Sequence, residues 1–173
     1  MTDVQPSARR SGVIAFTDIV GFTQLTDLQG DDAALEVLER QDAVVRACLD
    51  QRGRVVKELG DGLLLWFDDA ADALRVGLDL QRGFEQSPGE RDPLWVRIGM
   101  HFGCPRWRGE DIIGRDVNLA SRIADLAGPG EVLVSQPVAF AAGTVDGIGY
   151  ESLGPVFVRG ISDPVPLLRA YAV

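Results

Sequence analysis

Apolar and polar residues change from strand-like to helix-like spacing along the chain, and this pattern predicts its elements. An apolar run opens a buried strand predicted over residues 12–18. Apolar positions at helical spacing predict a long helix over residues 31–51. Two β-rich runs, residues 54–59 and 63–67, flank a Gly-Asp-Gly turn and predict a hairpin. The first half of the chain is therefore predicted as strand, helix and hairpin.

The second half of the chain has shorter segments separated by turn residues. Strict alternation over residues 94–102 predicts a half-buried strand, with His101 on its less apolar side. The other predicted segments are a helix over 69–86 that Ser87-Pro88-Gly89 interrupts, a loop over 105–114 containing Trp107, a helix over 116–127, a strand over 131–134, a helix over 136–142, and two or three strands within 150–172.

The order of these segments, β-α-β-β-α-β followed by extra strands, indicates an α+β fold. Such an order predicts a mainly antiparallel sheet with helices packed on one side of it. Residues 1–11 are expected to be a flexible tail and residues 12–173 a single domain, because a chain of 173 residues can bury one sizeable core.

Composition and charge narrow the possible partners. The chain is 46% hydrophobic and 25% charged, as in a soluble globular protein. Its net charge of −9 argues against a nucleic-acid partner, which basic patches would bind. The sequence contains neither a signal-peptide pattern nor an apolar run long enough to span a membrane. We therefore expect a cytoplasmic protein with no membrane partner, in which Cys48 and Cys104 are buried free thiols.

Asp18 is the first candidate for chemistry, because it stands where the first predicted strand ends. Gly21 permits a tight turn and lets a ligand approach the backbone. A helix that starts after Val20 would present the free backbone N–H groups of Gly21, Phe22 and Thr23 to phosphate oxygens. A carboxylate beside such donors suits a metal-bound polyphosphate. The alternative is that Asp18 only caps the helix.

Asp61 is the second candidate carboxylate. If the first strand and the hairpin are neighbours in one sheet, Asp61 converges with Asp18. Two carboxylates beside phosphate-binding amides are what a two-metal site requires. The alternative is that Asp61 only forms the turn, because Asp-Gly is a favoured turn sequence.

A third candidate group lies on the helix predicted over 116–127. Asn118 and Arg122 are four residues apart and therefore share one face of it. Arg122 offers a planar, permanently charged donor for phosphate, and Asn118 a neutral hydrogen-bonding group. The alternative is an ordinary solvated helix surface. His101, the sole histidine, could act as a general base, but its place in an alternating strand favours a structural role.

Four segments together resemble the catalytic domain of the class III nucleotidyl cyclases, the adenylyl and guanylyl cyclase family. The likeness extends over about residues 12–171 and implies a ferredoxin-like βαββαβ core. The matching segments, in the family's order, are Phe16-Thr17-Asp18-Ile19-Val20-Gly21-Phe22-Thr23, Lys57-Glu58-Leu59-Gly60-Asp61-Gly62, Arg97-Ile98-Gly99-Met100-His101 and Val117-Asn118-Leu119-Ala120-Ser121-Arg122.

The resemblance implies a role for each matching residue. Asp18 and Asp61, with the backbone carbonyl of Ile19, match the ligands of two divalent metal ions, Mg²⁺ or Mn²⁺. The remaining matches concern the nucleotide: Lys57 and Asp111 match the pair that reads the purine, Asn118 and Arg122 match the pair that stabilises the transition state, and Arg159 is the nearest candidate for a triphosphate-contacting residue.

The base-reading pair favours adenine over guanine. Lys57 can only donate and an ionised Asp111 can only accept, which complements N1 and the exocyclic amine of adenine. Guanine reverses both groups and would leave them unpaired. The prediction is an adenylyl cyclase that converts ATP to cyclic AMP and pyrophosphate at sites shared across a head-to-tail homodimer. The alternatives are a catalytically weak nucleotide-binding regulatory module and a guanylyl cyclase.

Overall fold

The computed structural model describes residues 9–87 and 94–173, and the structural statements below refer to them. Residues 1–8 of the predicted tail and the predicted break at Pro88-Gly89 lie outside these ranges. The elements are β1 (Gly12–Ile19), α1 (Phe22–Gln29), α2 (Asp31–Leu49), β2 (Arg54–Glu58), β3 (Gly62–Phe67), α3 (Ala70–Gln86), β4 (Val96–Gly103), β5 (Arg106–Arg108), β6 (Asp111–Ile113), α4 (Arg115–Leu126), β7 (Val132–Ser135), α5 (Gln136–Ala142), β8 (Ile148–Val156) and β9 (Val165–Ala172).

A seven-stranded sheet, in the order β2-β3-β1-β4-β7-β9-β8, forms the centre of the fold. Its neighbouring strands are antiparallel except β4 and β7, which run parallel. The predicted α+β fold with a mainly antiparallel sheet is therefore confirmed. Because β1 lies between β3 and β4, Asp18 at its end faces Gly62 on one side and Arg97 on the other.

Helices cover both faces of the sheet, which corrects the prediction that they pack on one side. Helices α2, α3 and α5 share a core with Val13 and Leu65. Helix α4 packs on the opposite face, where its Val117 joins Ile14 and Trp66. Adjacent residues of a strand point to opposite faces, so the successive apolar residues of β1 enter two different cores.

Strand β4 is also covered on both faces, whereas its alternating sequence predicted a half-buried strand. Ile98 and Met100 lie in the larger core, and on the other face His101 is only 8% exposed. Gly99 lets α4 approach this face closely, because a Cβ at this position would collide with the backbone of Ala124. The face of β4 that carries its small and polar residues therefore packs against helix α4 and does not face solvent.

Residues 106–113, predicted as a loop, form a separate two-stranded sheet of β5 and β6. Trp107 lies opposite Ile112, whose side chain is buried. Strands of three residues are too short to display the alternation that identifies a strand, so the sequence pattern does not distinguish this hairpin from a loop. Cys104, just before it, is exposed and Cys48 is only partly buried, which corrects the prediction that both cysteines are buried.

Candidate active site

The carboxylates of Asp18 and Asp61 lie near each other, at the end of β1 and in the turn between β2 and β3. Asp18 lies opposite Gly62 in the register of the sheet, and this position brings it to Asp61. The N–H of Ile19 donates to the carbonyl oxygen of Asp61 at 3.1 Å. Asp18 and Asp61 line one cavity of about 140 Å³, which we call the carboxylate cavity. The sheet register thus brings together two acidic residues that are far apart in sequence.

Asp18 does not cap the helix that follows it, because the N-cap of α1 is Gly21 and no side chain caps this end. Gly21 has a φ of 73°, in the left-handed region that favours glycine. At the start of α1, the N–H of Leu25 donates a hydrogen bond to the carbonyl oxygen of Gly21 at 2.9 Å. The N–H groups of Phe22 and Thr23 therefore have no acceptor within the helix.

Arg97 on β4 balances part of the charge of the two carboxylates. Its Nε donates to Asp18 Oδ2 at 3.0 Å, and a terminal guanidinium nitrogen pairs with the same oxygen. Burial, followed by repulsion from Asp18, raises the pKa of the Asp61 carboxyl above its ordinary value. Binding of a cation between the two carboxylates would relieve this repulsion.

Lys57 on β2 and Asp111 at the start of β6 form a second group. The Nζ of Lys57 lies 3.0 Å from Asp111 Oδ2. The other carboxylate oxygen of Asp111 accepts the backbone N–H of Ile112 at 2.8 Å. The hydrogen bond from Lys57 is the largest of the effects that lower the pKa of Asp111. The pair thus presents an ammonium donor and an ionised acceptor side by side.

A third group lies along one face of α4. Asn118 and Arg122, one helical turn apart, line a cavity of about 770 Å³ together with Arg159 from the loop between β8 and β9. Arg115 and Ser121 line the same cavity, which we call the arginine cavity. Three guanidinium groups give it a positive lining suited to phosphate oxygens.

The carboxylate cavity and the arginine cavity are distinct, although Ser121 lines both. Asp125 of α4 also lines the carboxylate cavity, and its Oδ2 lies 3.7 Å from Arg122 Nη1. Pockets for small molecules usually measure about 300–1,000 Å³, so the carboxylate cavity alone is too small to enclose a nucleotide. One chain therefore presents its candidate residues on separate partial surfaces.

His101 lies in the packed interior between β4, β7 and α4. Its Nδ1 is 2.7 Å from the hydroxyl oxygen of buried Ser135, and its Nε2 is 3.4 Å from Asp116 Oδ1. Burial lowers the pKa of His101, and this effect outweighs the opposing influence of Asp116. His101 lines neither cavity, so its contacts are those of a structural residue.

Several residues at these surfaces had no role in the sequence prediction. Arg97 was part of a matching segment, but its pairing with Asp18 depends on the register of β1 and β4. Arg115 lies three residues before Asn118 and on the same helical face, so helical spacing alone could have identified it. Asp125 follows Arg122 by three residues and offered the same signal.

In the part of the chain that the structure describes, no three His, Cys, Asp or Glu side chains come together as a metal site. The carboxylates of Asp18 and Asp61 are hard oxygen donors that suit Mg²⁺ or Mn²⁺, and two protein carboxylates leave positions open for phosphate oxygens and water. Over the same residues, no helix has both the length and the apolar character needed to cross a membrane.

The comparisons with known proteins agree with one another. The family model described as the adenylate and guanylate cyclase catalytic domain matches residues 4–168. A pH-sensitive adenylate cyclase of Mycobacterium tuberculosis is 32% identical over 167 residues, which are 95% of this chain and 41% of that protein. An adenylate cyclase of Streptomyces coelicolor is 34% identical over 140 residues, 80% of this chain and 35% of that protein.

Solved structures show the same fold. An adenylyl cyclase of P. aeruginosa superposes with a TM-score of 0.84 at 24% identity, covering 98% of this chain and 97% of that chain. A protein of Silicibacter pomeroyi, described as an adenylate/guanylate cyclase/hydrolase, superposes with a TM-score of 0.78 at 28% identity, covering 94% of this chain and 96% of that one. This chain spans well under half the length of the two curated relatives above. It belongs to the class III adenylate and guanylate cyclase catalytic domain family.

Proposed function

We propose that residues 12–173 form a single catalytic domain that acts as an adenylyl cyclase on ATP. In this reaction the ribose 3′-oxygen attacks the α-phosphorus, the bond from that phosphorus to the bridging oxygen breaks, and pyrophosphate leaves. The 3′-hydroxyl releases its proton to solvent water, and the products are 3′,5′-cyclic AMP and pyrophosphate. The family membership of the chain and the adenylate cyclase names of its relatives support this class of reaction.

The observation that carries the choice of ATP is the contact between Lys57 and Asp111. Their side chains lie 3.0 Å apart on neighbouring elements, so one base edge can reach both. A donor beside an acceptor matches N1 and the exocyclic amine of adenine. Guanine presents a donor and an acceptor in the reverse order, and each mismatch would leave a polar group without a partner.

Asp18 and Asp61 are the residues that would hold divalent cations, with the backbone carbonyl of Ile19 as a further ligand. Their repulsion, expressed in the raised pKa of Asp61, fits a site that a cation stabilises. When bound, Mg²⁺ or Mn²⁺ would favour ionisation of the 3′-hydroxyl and offset charge on the phosphates. The backbone N–H groups of Gly21, Phe22 and Thr23 would donate to phosphate oxygens at the start of α1.

The residues of α4 would act on the reacting centre. Asn118 would orient the ribose through its side-chain amide, and Arg122 would meet the charge that develops on the α-phosphate. Arg159 would contact the triphosphate, because it lines the same cavity as these two residues. Pre-formed donors of this kind stabilise the transition state without reorganising during the reaction.

The complete site would require two chains. The carboxylate cavity holds about 140 Å³, less than a nucleotide needs, and the arginine cavity is distinct from it. In a head-to-tail homodimer, Asp18 and Asp61 of one chain would face Lys57, Asp111 and the α4 residues of the other. Twofold symmetry would then create two equivalent sites.

Product analysis tests this function directly. Purified protein, at concentrations high enough for dimers to form, is incubated with ATP or GTP and with Mg²⁺ or Mn²⁺, and cyclic nucleotides are separated by chromatography. Cyclic AMP from ATP, with little cyclic GMP from GTP, is the expected result. A preference for GTP would establish the guanylyl alternative. Nucleotide binding without any cyclic product would establish the regulatory module.

A further inference from the structure

The residue that would read the exocyclic amine stands on a hairpin that is not part of the main sheet. Asp111 begins β6, which among residues 9–87 and 94–173 pairs with β5 alone, and these two strands form a sheet of their own. Lys57 belongs to β2, at the edge of the seven-stranded sheet. The spacing of Lys57 and Asp111 therefore depends on how the hairpin is held against β2 by side chains.

Trp107 of β5, together with the buried Ile112 of β6, packs the hairpin against the main sheet. Its ring meets the buried Trp66 of β3 edge to face, with centroids 5.1 Å apart and planes at 82°. On β2, the guanidinium carbon of Arg54 lies 4.6 Å from the centroid of the Trp107 ring. Trp107 thus contacts both strands of the hairpin β2–β3, one through an aromatic pair and the other through a cation–π contact.

The ring of Trp107 makes these contacts without a hydrogen bond from its N–H group. Its Nε1 is buried and has no hydrogen-bond partner among the described residues. Among the described residues Arg54 has no ion pair, and its guanidinium lies over the Trp107 ring. A planar guanidinium over an indole is a favourable pairing that Lys does not reproduce well.

Two contacts therefore join the same pair of elements. Arg54 reaches Trp107 near the start of β2, and Lys57 reaches Asp111 near its end. A register irregularity between Val55 and Lys57 separates the two positions on β2. Loss of the contact between Arg54 and Trp107 would let the hairpin shift against β2. The distance between Lys57 and Asp111 would then change.

We propose that Trp107 and Arg54 are positioning residues that set the spacing between Lys57 and Asp111, and through it the preference for adenine over guanine. This inference rests on the proposed function, in which Lys57 and Asp111 read the base. Neither Trp107 nor Arg54 lines the carboxylate cavity or the arginine cavity. Their substitution should therefore change base selection more than the chemical step.

Nucleotide selectivity is the first test. Trp107→Leu removes the aromatic face, Trp107→Phe keeps one, and Arg54→Met keeps an unbranched side chain without the charge. We expect Trp107→Leu and Arg54→Met to lower the ratio of kcat/KM for ATP over GTP by about tenfold, and Trp107→Phe to retain most of it. Arg106→Ala, an exposed change on the same strand, should leave the ratio unchanged.

An unchanged ratio in both Trp107→Leu and Arg54→Met would overturn the inference. Arg54 is exposed, so Arg54→Met should fold even if Trp107→Leu does not. Thermal melting of each variant separates loss of folding from loss of selectivity, because a purely structural defect lowers activity with both nucleotides equally.

A second test does not depend on catalysis. Lys57 holds the pKa of the Asp111 carboxyl below its ordinary value, and ¹³C NMR titration can follow this carboxyl after assignment with Asp111→Asn. Arg54→Met and Trp107→Leu should raise its pKa towards that in Lys57→Met, whereas Arg106→Ala should not. An unshifted pKa in both variants would reject the positioning role. A wild-type protein that makes no cyclic nucleotide would reject the proposed function, and the titration would still decide the positioning.

Discussion

The Nε of Arg97 donates to Asp18 Oδ2 at 3.0 Å, so a cation from the adjacent strand already occupies one side of this carboxylate. Both side chains are about one-third exposed, at 32% for Arg97 and 29% for Asp18. The pair is therefore screened by water and holds Asp18 only weakly. A divalent ion that binds Asp18 must compete with this arginine.

Removing that competitor should strengthen metal binding. In Arg97→Gln, nucleotide-free protein should bind Mn²⁺ about 1.4- to fivefold more tightly, because a solvent-screened ion pair contributes about 0.2–1 kcal/mol. Isothermal titration calorimetry measures the affinity. Arg75→Gln, which breaks an exposed pair with Asp72 on α3, is the matched control. Unchanged or weaker Mn²⁺ binding by Arg97→Gln would contradict the competition.

The two carboxylates should be essential for turnover but not for folding. We expect Asp18→Ala and Asp61→Ala each to lower kcat by roughly 100-fold or more, because charge stabilisation at the phosphates is lost. Initial rates of cyclic AMP formation and melting temperatures give the two readouts. Asp27→Ala, an exposed change on α1, should retain full activity. Substantial turnover in Asp18→Ala or Asp61→Ala would remove the metal-binding assignment.

Mixing two inactive variants should restore activity if the site is shared. An equal mixture of Asp18→Ala and Arg122→Ala chains gives half heterodimers, each with one intact composite site, and therefore about a quarter of wild-type activity. A mixture of Asp18→Ala with Asp61→Ala should stay inactive, because both changes affect the same half-site. Differently tagged chains verify that heterodimers form. If they form and the first mixture stays inactive, the site is not shared.

Acidification should destabilise the fold through His101. Burial lowers the pKa of His101 in the folded protein, so below about pH 6.5 the unfolded chain binds a proton that the folded chain resists. Stability is present above pH 6.5 and is lost as pH falls towards the folded pKa, by at most about 1.4 kcal/mol per pH unit.

His101→Gln should lack this part of the acid sensitivity, because glutamine can still hydrogen-bond Ser135 but does not titrate. Urea unfolding between pH 5 and pH 7.5 compares its free energy of unfolding with that of the wild type. Asp116 faces the same imidazole and opposes the effect of burial, which makes the measured slope smaller than the maximum. Parallel pH profiles for the two proteins would show that His101 does not contribute.

The sequence was most informative where local pattern decides the structure. The strand that carries Asp18 near its end, the turn at Asp61 and the shared helical face of Asn118 and Arg122 follow from apolar runs, turn residues and the helical period. These features depend on neighbours within a few residues. The order of the elements then indicated a mainly antiparallel sheet, but it did not indicate that helices cover both faces of that sheet.

Contacts between strands were less accessible to sequence reasoning. The pairing of Arg97 with Asp18 follows from a register that no local pattern specifies. In the sequence Gly99 lies within an alternating strand predicted to be half-buried, yet a Cβ at this position would collide with the backbone of α4 at Ala124. The hairpin carrying Trp107 is too short for a periodic pattern, so its packing on the sheet became visible only in three dimensions.

The independence of the β5–β6 hairpin has a consequence for protein engineering. Within the described ranges, no backbone hydrogen bond joins residues 106–113 to the seven-stranded sheet. The segment can therefore be exchanged without breaking the hydrogen bonds of the main sheet. A grafted hairpin would need to reproduce the indole contacts with Trp66 and Arg54 and the buried side chain of Ile112. Libraries confined to this short segment offer a compact route to cyclases with altered nucleotide preference.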